Sequence, residues 1–162
     1  VPIYYNHKNT GRPLGETPWF RKFRTNYLDV TNEPLYPFGF GLSYSKFTYG
    51  DMKLDKTELN GEEELQVSIT LTNEGLYDGA EVVQLYVRDI VGSVTRPVKE
   101  LKGFQKIFLK AGETRVISFT LTPEDLKFYN AQLEYDWEPG EFMIMVGGNS
   151  RDVKTAMINW QH

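Results

Sequence analysis

The sequence predicts an all-β protein: an antiparallel β-sandwich of immunoglobulin-like type, preceded by an extended, irregular N-terminal arm. Three observations lead to this prediction. Short segments of alternating apolar and polar residues recur after residue 47, turn residues separate these segments, and prolines and aromatic residues are concentrated before residue 46. We therefore divide the chain into an arm, residues 1–46, and a sandwich, residues 47–162.

The arm combines many prolines with many large aromatic side chains. Five of the eight prolines fall within it, and proline disfavours both helix and central strand because it fixes φ and lacks a backbone donor. Flexible linkers are rarely this aromatic. An ordered arm that packs against another surface is therefore expected. Its ten aromatic residues are Tyr4, Tyr5, Trp19, Phe20, Phe23, Tyr27, Tyr36, Phe38, Phe40 and Tyr44.

The first half of the sandwich contains two clear strand patterns. Residues 65–72 alternate strictly between apolar and polar side chains, which is typical of a half-buried strand. Turn chemistry follows at residues 73–75 and again at 78–79. A second strand is predicted over residues 82–87, with Val83, Leu85 and Val87 on the core side.

The second half continues in the same manner. A strand over residues 99–109 is interrupted by Gly103, which indicates a bulge. After a turn at residues 110–113, a strand is predicted with Ile117, Phe119 and Leu121 facing the core. Thr122 before Pro123 resembles a helix N-cap and predicts a short helical turn. Alternation then returns at 142–146 and 156–160, which gives seven or eight short strands and no long helix.

Composition excludes several classes of function. The net charge of −4 argues against a strongly basic surface that would bind nucleic acid. No apolar run approaches the length of a membrane span. With no cysteine, the chain has no thiolate nucleophile and no disulfide. The two histidines, His7 and His162, lie at opposite ends of the sequence, so an ordinary zinc site is not expected. We expect no metal and no cofactor.

The carboxylates do not form a recognisable catalytic motif. Residues 62–64 are three consecutive glutamates before a strand, which is typical of a solvated charge run. Glu124 and Asp125 fit the N-terminus of the predicted helical turn, where negative charge is favoured. We therefore expect no catalytic residue in this chain.

Aromatic residues are the candidate site residues. They would either dock against a neighbouring domain or stack on sugar rings. Docking is favoured, because aromatic side chains in proteins more often pack in cores and interfaces than bind ligands. Sugar stacking would fall to Trp19, Phe20 and Trp137. The full candidate set is Tyr4, Tyr5, Trp19, Phe20, Tyr36, Phe38 and Trp137.

Several longer strings resemble the C-terminal end of glycoside hydrolase family 3 enzymes, the β-glucosidase-like group. They occur in the family's order and cover nearly the whole chain. In the arm they are Tyr4-Tyr5-Asn6-His7-Lys8, Thr10-Gly11-Arg12-Pro13, Tyr27-Leu28-Asp29 and residues 34–44 (PLYPFGFGLSY). In the sandwich they are residues 81–87 (EVVQLYV), residues 96–104 (RPVKELKGF) and residues 125–129 (DLKFY).

The resemblance implies that residues 47–162 are a fibronectin type III-like domain and that the arm joins it to a preceding α/β domain. Such a chain would be part of a longer polypeptide, which fits its opening Val-Pro-Ile. In this family the nucleophilic Asp lies in a Ser-Asp-Trp-like motif of an N-terminal barrel, and the acid/base Glu generally comes from the α/β domain. Neither motif occurs here, so the resemblance assigns no catalytic role to any residue of this chain.

The resemblance also implies partners and a location. The partners would be the barrel and α/β catalytic domains of the same polypeptide, which would hydrolyse β-glucosides with retention in the periplasm or outside the cell. Two alternatives remain open. One is a carbohydrate-binding module that takes an oligosaccharide on exposed aromatics, and the other is an interaction domain that pairs through a sheet edge or the arm, forming a homodimer when isolated.

Overall fold

The computed structural model describes residues 3–12, 24–27 and 29–162. Within these residues, ten strands and one short helix follow one another along the chain. The strands are β1 (Phe47–Leu54), β2 (Glu58–Asn60), β3 (Leu65–Asn73), β4 (Gly79–Asp89), β5 (Glu100–Leu109), β6 (Thr114–Leu121), β7 (Phe128–Tyr129), β8 (Tyr135–Asp136), β9 (Gly140–Gly147) and β10 (Val153–Gln161), and α1 (Pro123–Leu126) lies between β6 and β7.

Two sheets form the sandwich, as the sequence predicted. One has the strand order β1-β3-β6 and the other β2-β10-β9-β4-β5, while β7 and β8 form a separate hairpin. The alternating residues of β3, β6 and β9 face the core between the sheets, and so do Val83, Leu85 and Val87 of β4. Burial of one face of each strand accounts for the period-2 patterns and confirms the all-β prediction.

The predicted irregularity in β5 is present beside Gly103. Leu85 of β4 pairs with Gly103, whereas the next residue, Tyr86, pairs with Leu101, so that Lys102 is the extra residue of a bulge. The predicted helical turn is α1, a single turn of four residues. The Asp125 carboxylate accepts hydrogen bonds from both the backbone N–H and the hydroxyl of Thr122, at 2.8 and 2.9 Å.

The structure adds elements that the sequence did not predict. The two-residue strands of the β7–β8 hairpin and the three-residue β2 are too short to produce a periodic pattern. Strand β2 runs parallel to β10, so the sandwich is antiparallel except at this edge. Trp160 of β10 helps to hold this edge, because it is fully buried and its indole N–H donates to the carbonyl of Gly61 at 3.0 Å.

Strand β4 is buried on both faces. Its odd-numbered residues face the core between the sheets, whereas Gln84 and Tyr86 point to the outer face and are nevertheless buried, at 4% and 0% exposed. A sandwich strand usually has one solvated face. The arm provides the cover, and this packing creates the surfaces described next.

Candidate docking surface and the pocket beside it

The arm packs across the outer face of the five-stranded sheet through aromatic rings. The ring of Tyr5 stacks on Phe38 with centroids 4.3 Å apart and planes 23° apart. Its edge also meets the ring of Tyr86 at 5.7 Å. Each such pair is worth about 0.5–1.5 kcal/mol beyond the area it buries. Tyr5 and Phe38 therefore hold two distant parts of the arm on the same strand of the sandwich.

Backbone hydrogen bonds fix the same two parts of the arm. The Val98 N–H donates to the His7 carbonyl at 2.9 Å, and the Ser150 N–H donates to the Phe38 carbonyl at 2.8 Å. The Lys99 ammonium donates to the Ser150 carbonyl, and burial lowers the pKa of Lys99. These bonds leave the arm little freedom to slide across the sheet.

Gly39 is the point of closest approach between the arm and the sheet. Its φ is +80°, and a Cβ atom there would lie 2.5 Å from Nε2 of Gln84. The Gln84 side chain is already engaged, since Nε2 donates to the Gly148 carbonyl at 2.7 Å and Oε1 accepts from the Tyr86 hydroxyl at 2.5 Å. Both the backbone angle and the lack of space therefore require glycine at this position.

Outside these anchors, the arm and the sheet share an exposed apolar surface. A groove of about 320 Å³ is lined by Phe38 and Gly39 from the arm and by Val82, Gln84, Leu101 and Phe104 from the sheet. Phe104 is 66% exposed, and Tyr36, whose ring contacts Phe40 at 5.2 Å, is 67% exposed. We call Tyr36, Phe38, Phe40, Val82 and Phe104 the docking face. Groups of exposed apolar side chains of this kind mark interaction sites.

A second, more polar pocket of about 420 Å³ lies where the arm crosses the beginnings of β1 and β4. Glu81 lines this pocket, and the Tyr49 hydroxyl donates to Glu81 Oε1 at 3.1 Å. Burial raises the pKa of the Glu81 carboxyl and the pKa of the Tyr49 hydroxyl. The sequence did not single out Glu81, because it directly precedes the strand predicted at residues 82–87 and only its contact with Tyr49 of β1 distinguishes it.

The Asp89 carboxyl of β4 also has a raised pKa, and its partner is the Arg96 guanidinium. Burial raises the pKa of Asp89, while the nearby Arg96 guanidinium lowers it. Arg96 lies 3.8 Å from Asp89, forms a 2.9 Å ion pair with Glu100 and stacks over the Phe128 ring at 4.0 Å. This cluster connects the β4–β5 loop to the segment after α1.

The structure separates the aromatic residues that the sequence grouped together. Tyr5 and Phe38 belong to the contact between arm and sheet, whereas Tyr36 is exposed on the docking face. Tyr4 is 61% exposed, with its ring against His7. Trp137 is only 6% exposed and packs on Trp160, so its ring offers no open face to a sugar. Trp19 and Phe20 lie outside the described residues.

Two further features are absent from the described part of the chain. Residues 3–12, 24–27 and 29–162 contain no group of three or more histidine, cysteine or acidic side chains arranged to hold a metal ion. In the same ranges, no helix has the length and apolar character needed to cross a membrane.

Comparisons with known proteins place these features in a family context. Residues 81–150 match the family model described as a fibronectin type III-like domain. The chain is 46% identical over 155 residues to the periplasmic β-glucosidase of Salmonella typhimurium, covering 95% of this chain and 20% of that protein. It is 49% identical over 130 residues to the thermostable β-glucosidase B of Acetivibrio thermocellus, covering 78% of this chain and 17% of that protein.

Solved structures agree with the sequence matches. The β-glucosidase of Listeria innocua in complex with isofagomine superposes with a TM-score of 0.91 at 44% identity, covering 100% of this chain and 22% of that one. The chain thus spans about a fifth of the length of the relatives it matches. These matches confirm the resemblance inferred from the motifs of the arm and the sandwich.

Proposed function

Since this chain carries a fibronectin type III-like domain and corresponds to one part of the β-glucosidases of glycoside hydrolase family 3, we propose that it is a non-catalytic accessory module of such an enzyme. Residues 47–162 form the module, and residues 1–46 fasten it to the catalytic domains of the same polypeptide. The whole protein would hydrolyse β-glucosides with retention, in the periplasm or outside the cell.

The docking face is the observation that carries this proposal. Tyr36, Phe38 and Phe104 are between 46% and 67% exposed, although the arm to which two of them belong is held firmly on the sheet. Burying a large apolar side chain contributes about 1.5–3 kcal/mol. Because the matched relatives are about five times longer than this chain, a neighbouring domain of the same polypeptide is the partner best suited to cover this face.

The arrangement of carboxylates supports a non-catalytic role. Retaining glycosidases need two carboxyl groups about 5–5.5 Å apart, one of which has a raised pKa. Glu81 and Asp89 are the carboxyls in the described residues whose pKa is raised. They are eight residues apart on the extended strand β4, which corresponds to about 26 Å. They cannot act together on one glycosidic bond.

The docking proposal is tested by removing apolar groups from the docking face. We expect the Tyr36→Ser, Phe104→Ser double variant to lower the melting temperature and the activity of the longer polypeptide that carries this chain, while leaving the melting temperature of the isolated 162-residue chain unchanged. Val116→Ser is the matched control, because Val116 is 63% exposed on β6 of the other sheet. Equal effects of the double variant and the control on the longer polypeptide would refute docking through this face.

Two further measurements separate the alternatives. Hydrolysis of an aryl β-glucoside by the purified chain, in excess of any contaminant, would show that the module is catalytic. Sedimentation of the isolated chain tests for a homodimer that hides the same face. If the chain is a dimer that the Tyr36→Ser, Phe104→Ser variant dissociates, and the longer polypeptide is unaffected by that variant, the chain is an interaction domain instead.

A further inference from the structure

The polar pocket around Glu81 has the dimensions and the lining of a small-molecule site. Its volume of about 420 Å³ falls within the usual range of about 300–1,000 Å³ for such sites. It is lined by the start of β4, by arm residues between Gly39 and Ser45, and by Asn149 and Asp152 of the turn between β9 and β10. The arm's passage over the sheet therefore creates the pocket.

Glu81 provides hydrogen-bond acceptors that the protein does not fully use. A carboxylate has about four acceptor positions on its two oxygens, and its partners here are the Tyr49 hydroxyl and the Val82 backbone N–H. None of the ion pairs in the described part of the chain includes Glu81. A half-buried carboxylate with spare acceptors is well suited to accept hydrogen bonds from the hydroxyl groups of a ligand.

The rest of the lining supplies a donor and an apolar wall. The Ser43 hydroxyl accepts the Ser45 backbone N–H at 3.1 Å and still has its own proton to donate. Phe40, 41% exposed, lines the pocket, and so does the partly buried Phe47. An acceptor, a donor and aromatic rings around one cavity match a sugar ring, which has hydroxyl groups at its rim and C–H groups on its faces.

We propose that this pocket binds one glucosyl unit of a β-linked oligosaccharide. The ligand class rests in part on the proposed function, since a module of a β-glucosidase is exposed to such sugars. A divalent cation fits less well. Asp152 is already engaged by Asn149 at 3.0 Å and lies 3.7 Å from Arg151, and no group of three metal-ligating side chains occurs in the described ranges.

The pocket overlaps the docking face at Phe40 and Val82 but extends beyond it. The two cavities share Gly39 and Val82, whereas Glu81 and Ser43 line only the polar pocket and Phe104 lines only the apolar groove. The sugar would therefore bind beside the contact with the catalytic domains. In this position the module would retain an oligosaccharide next to the enzyme without taking part in the chemistry.

The test is a titration of the isotope-labelled 162-residue chain with laminaribiose and with cellobiose, followed by amide chemical shifts. We expect saturable shifts around residues 40–49, 80–82 and 148–152, with a dissociation constant on the order of 1 mM. Glu81→Gln and, independently, Phe40→Ala should each weaken binding about tenfold or more. Glu64→Gln removes the same charge from an exposed position outside the pocket and should leave binding unchanged.

Each other outcome overturns the proposal. These outcomes are no shifts at sugar concentrations up to about 10 mM, shifts centred elsewhere on the sandwich, unchanged affinity in both pocket variants, or saturable shifts at the pocket with calcium chloride but not with sugar. A different result refutes the proposed function as an accessory module. A silent titration together with a destabilised Tyr36→Ser, Phe104→Ser variant of the longer polypeptide would remove only the sugar site.

Discussion

Gly39→Ala tests whether the arm is fixed to the sheet as the structure indicates. The added methyl group would meet the Gln84 amide at 2.5 Å, at a residue whose φ is +80°. Gly112 provides a matched control: its φ is +76°, but a Cβ atom there would have no neighbour within 4 Å. The two substitutions therefore carry the same backbone strain, and only Gly39→Ala adds a collision.

The magnitude follows from the contacts that the methyl group would break. A left-handed backbone costs an alanine about 1–2 kcal/mol, and this cost applies to both variants. At Gly39 the buried Gln84 side chain must also move away from the Gly148 carbonyl and the Tyr86 hydroxyl. Leaving buried groups unsatisfied costs about 1–3 kcal/mol. The two costs together give an expected loss of about 2–5 kcal/mol. The free energy with which the arm binds the sheet sets the upper limit, because the arm can lift away instead.

Urea unfolding followed by tryptophan fluorescence measures both variants, because Trp137 and Trp160 are buried in the sandwich. Each kcal/mol also lowers the melting temperature by about 2–4 °C in a chain of this size. Chemical shifts of Tyr5 and Phe38 would report whether the arm lifts. If Gly39→Ala costs no more than Gly112→Ala, the arm does not press on Gln84, and the covered outer face of β4 must be explained in another way.

Three further predictions concern other parts of the molecule. Because burial raises the folded-state pKa of Glu81, ionisation of this carboxyl destabilises the fold. The Glu81→Gln variant should therefore match the parent chain in stability at low pH and become more stable than it as the pH rises above 4.5, the ordinary pKa of glutamate. Equal melting temperatures of the two proteins across this pH range would contradict this prediction. Arg96→Ala should lower the free energy of unfolding, measured in urea, by about 3–5 kcal/mol, since it leaves the buried Asp89 side chain without its counter-charge. A loss below about 1 kcal/mol, which is typical of an exposed ion pair, would contradict this. Leu133→Gly should stabilise the chain by about 1 kcal/mol, because Leu133 has a φ of 64° and is 80% exposed, and a destabilisation would show that its side chain makes a favourable contact.

The arm completes the sandwich. Without it, the outer face of the five-stranded sheet would expose Tyr86 and the polar side chain of Gln84. With it, these groups are buried and paired, and the arm adds the exposed rings of Tyr36 and Phe38 beside Phe104 of the sheet. The aromatic residues in the described part of the arm therefore serve two contacts, one with their own sheet and one, as proposed, with the catalytic domains.

Much of the sandwich was predictable from local patterns. The alternation in β3, β6 and β9 reflects the burial of one face of each strand, and Gly103 marked the bulge in β5 because glycine tolerates the local bend. The short β2 and the β7–β8 hairpin left no pattern to find, since two or three residues cannot establish a period. The candidate site was predicted only in part, as an aromatic arm with an unidentified partner surface.

The amino-acid sequence by itself determined the all-β architecture and the resemblance to β-glucosidases, because both follow from residue types in local order. Only the tertiary structure decided that Gln84 and Tyr86 are buried, that Trp137 packs inside, and that Glu81 lines a pocket. The physical reason is that periodicity shows which side chains share a face of a strand, whereas the segment that covers that face comes from elsewhere in the chain, here from residues more than forty positions earlier.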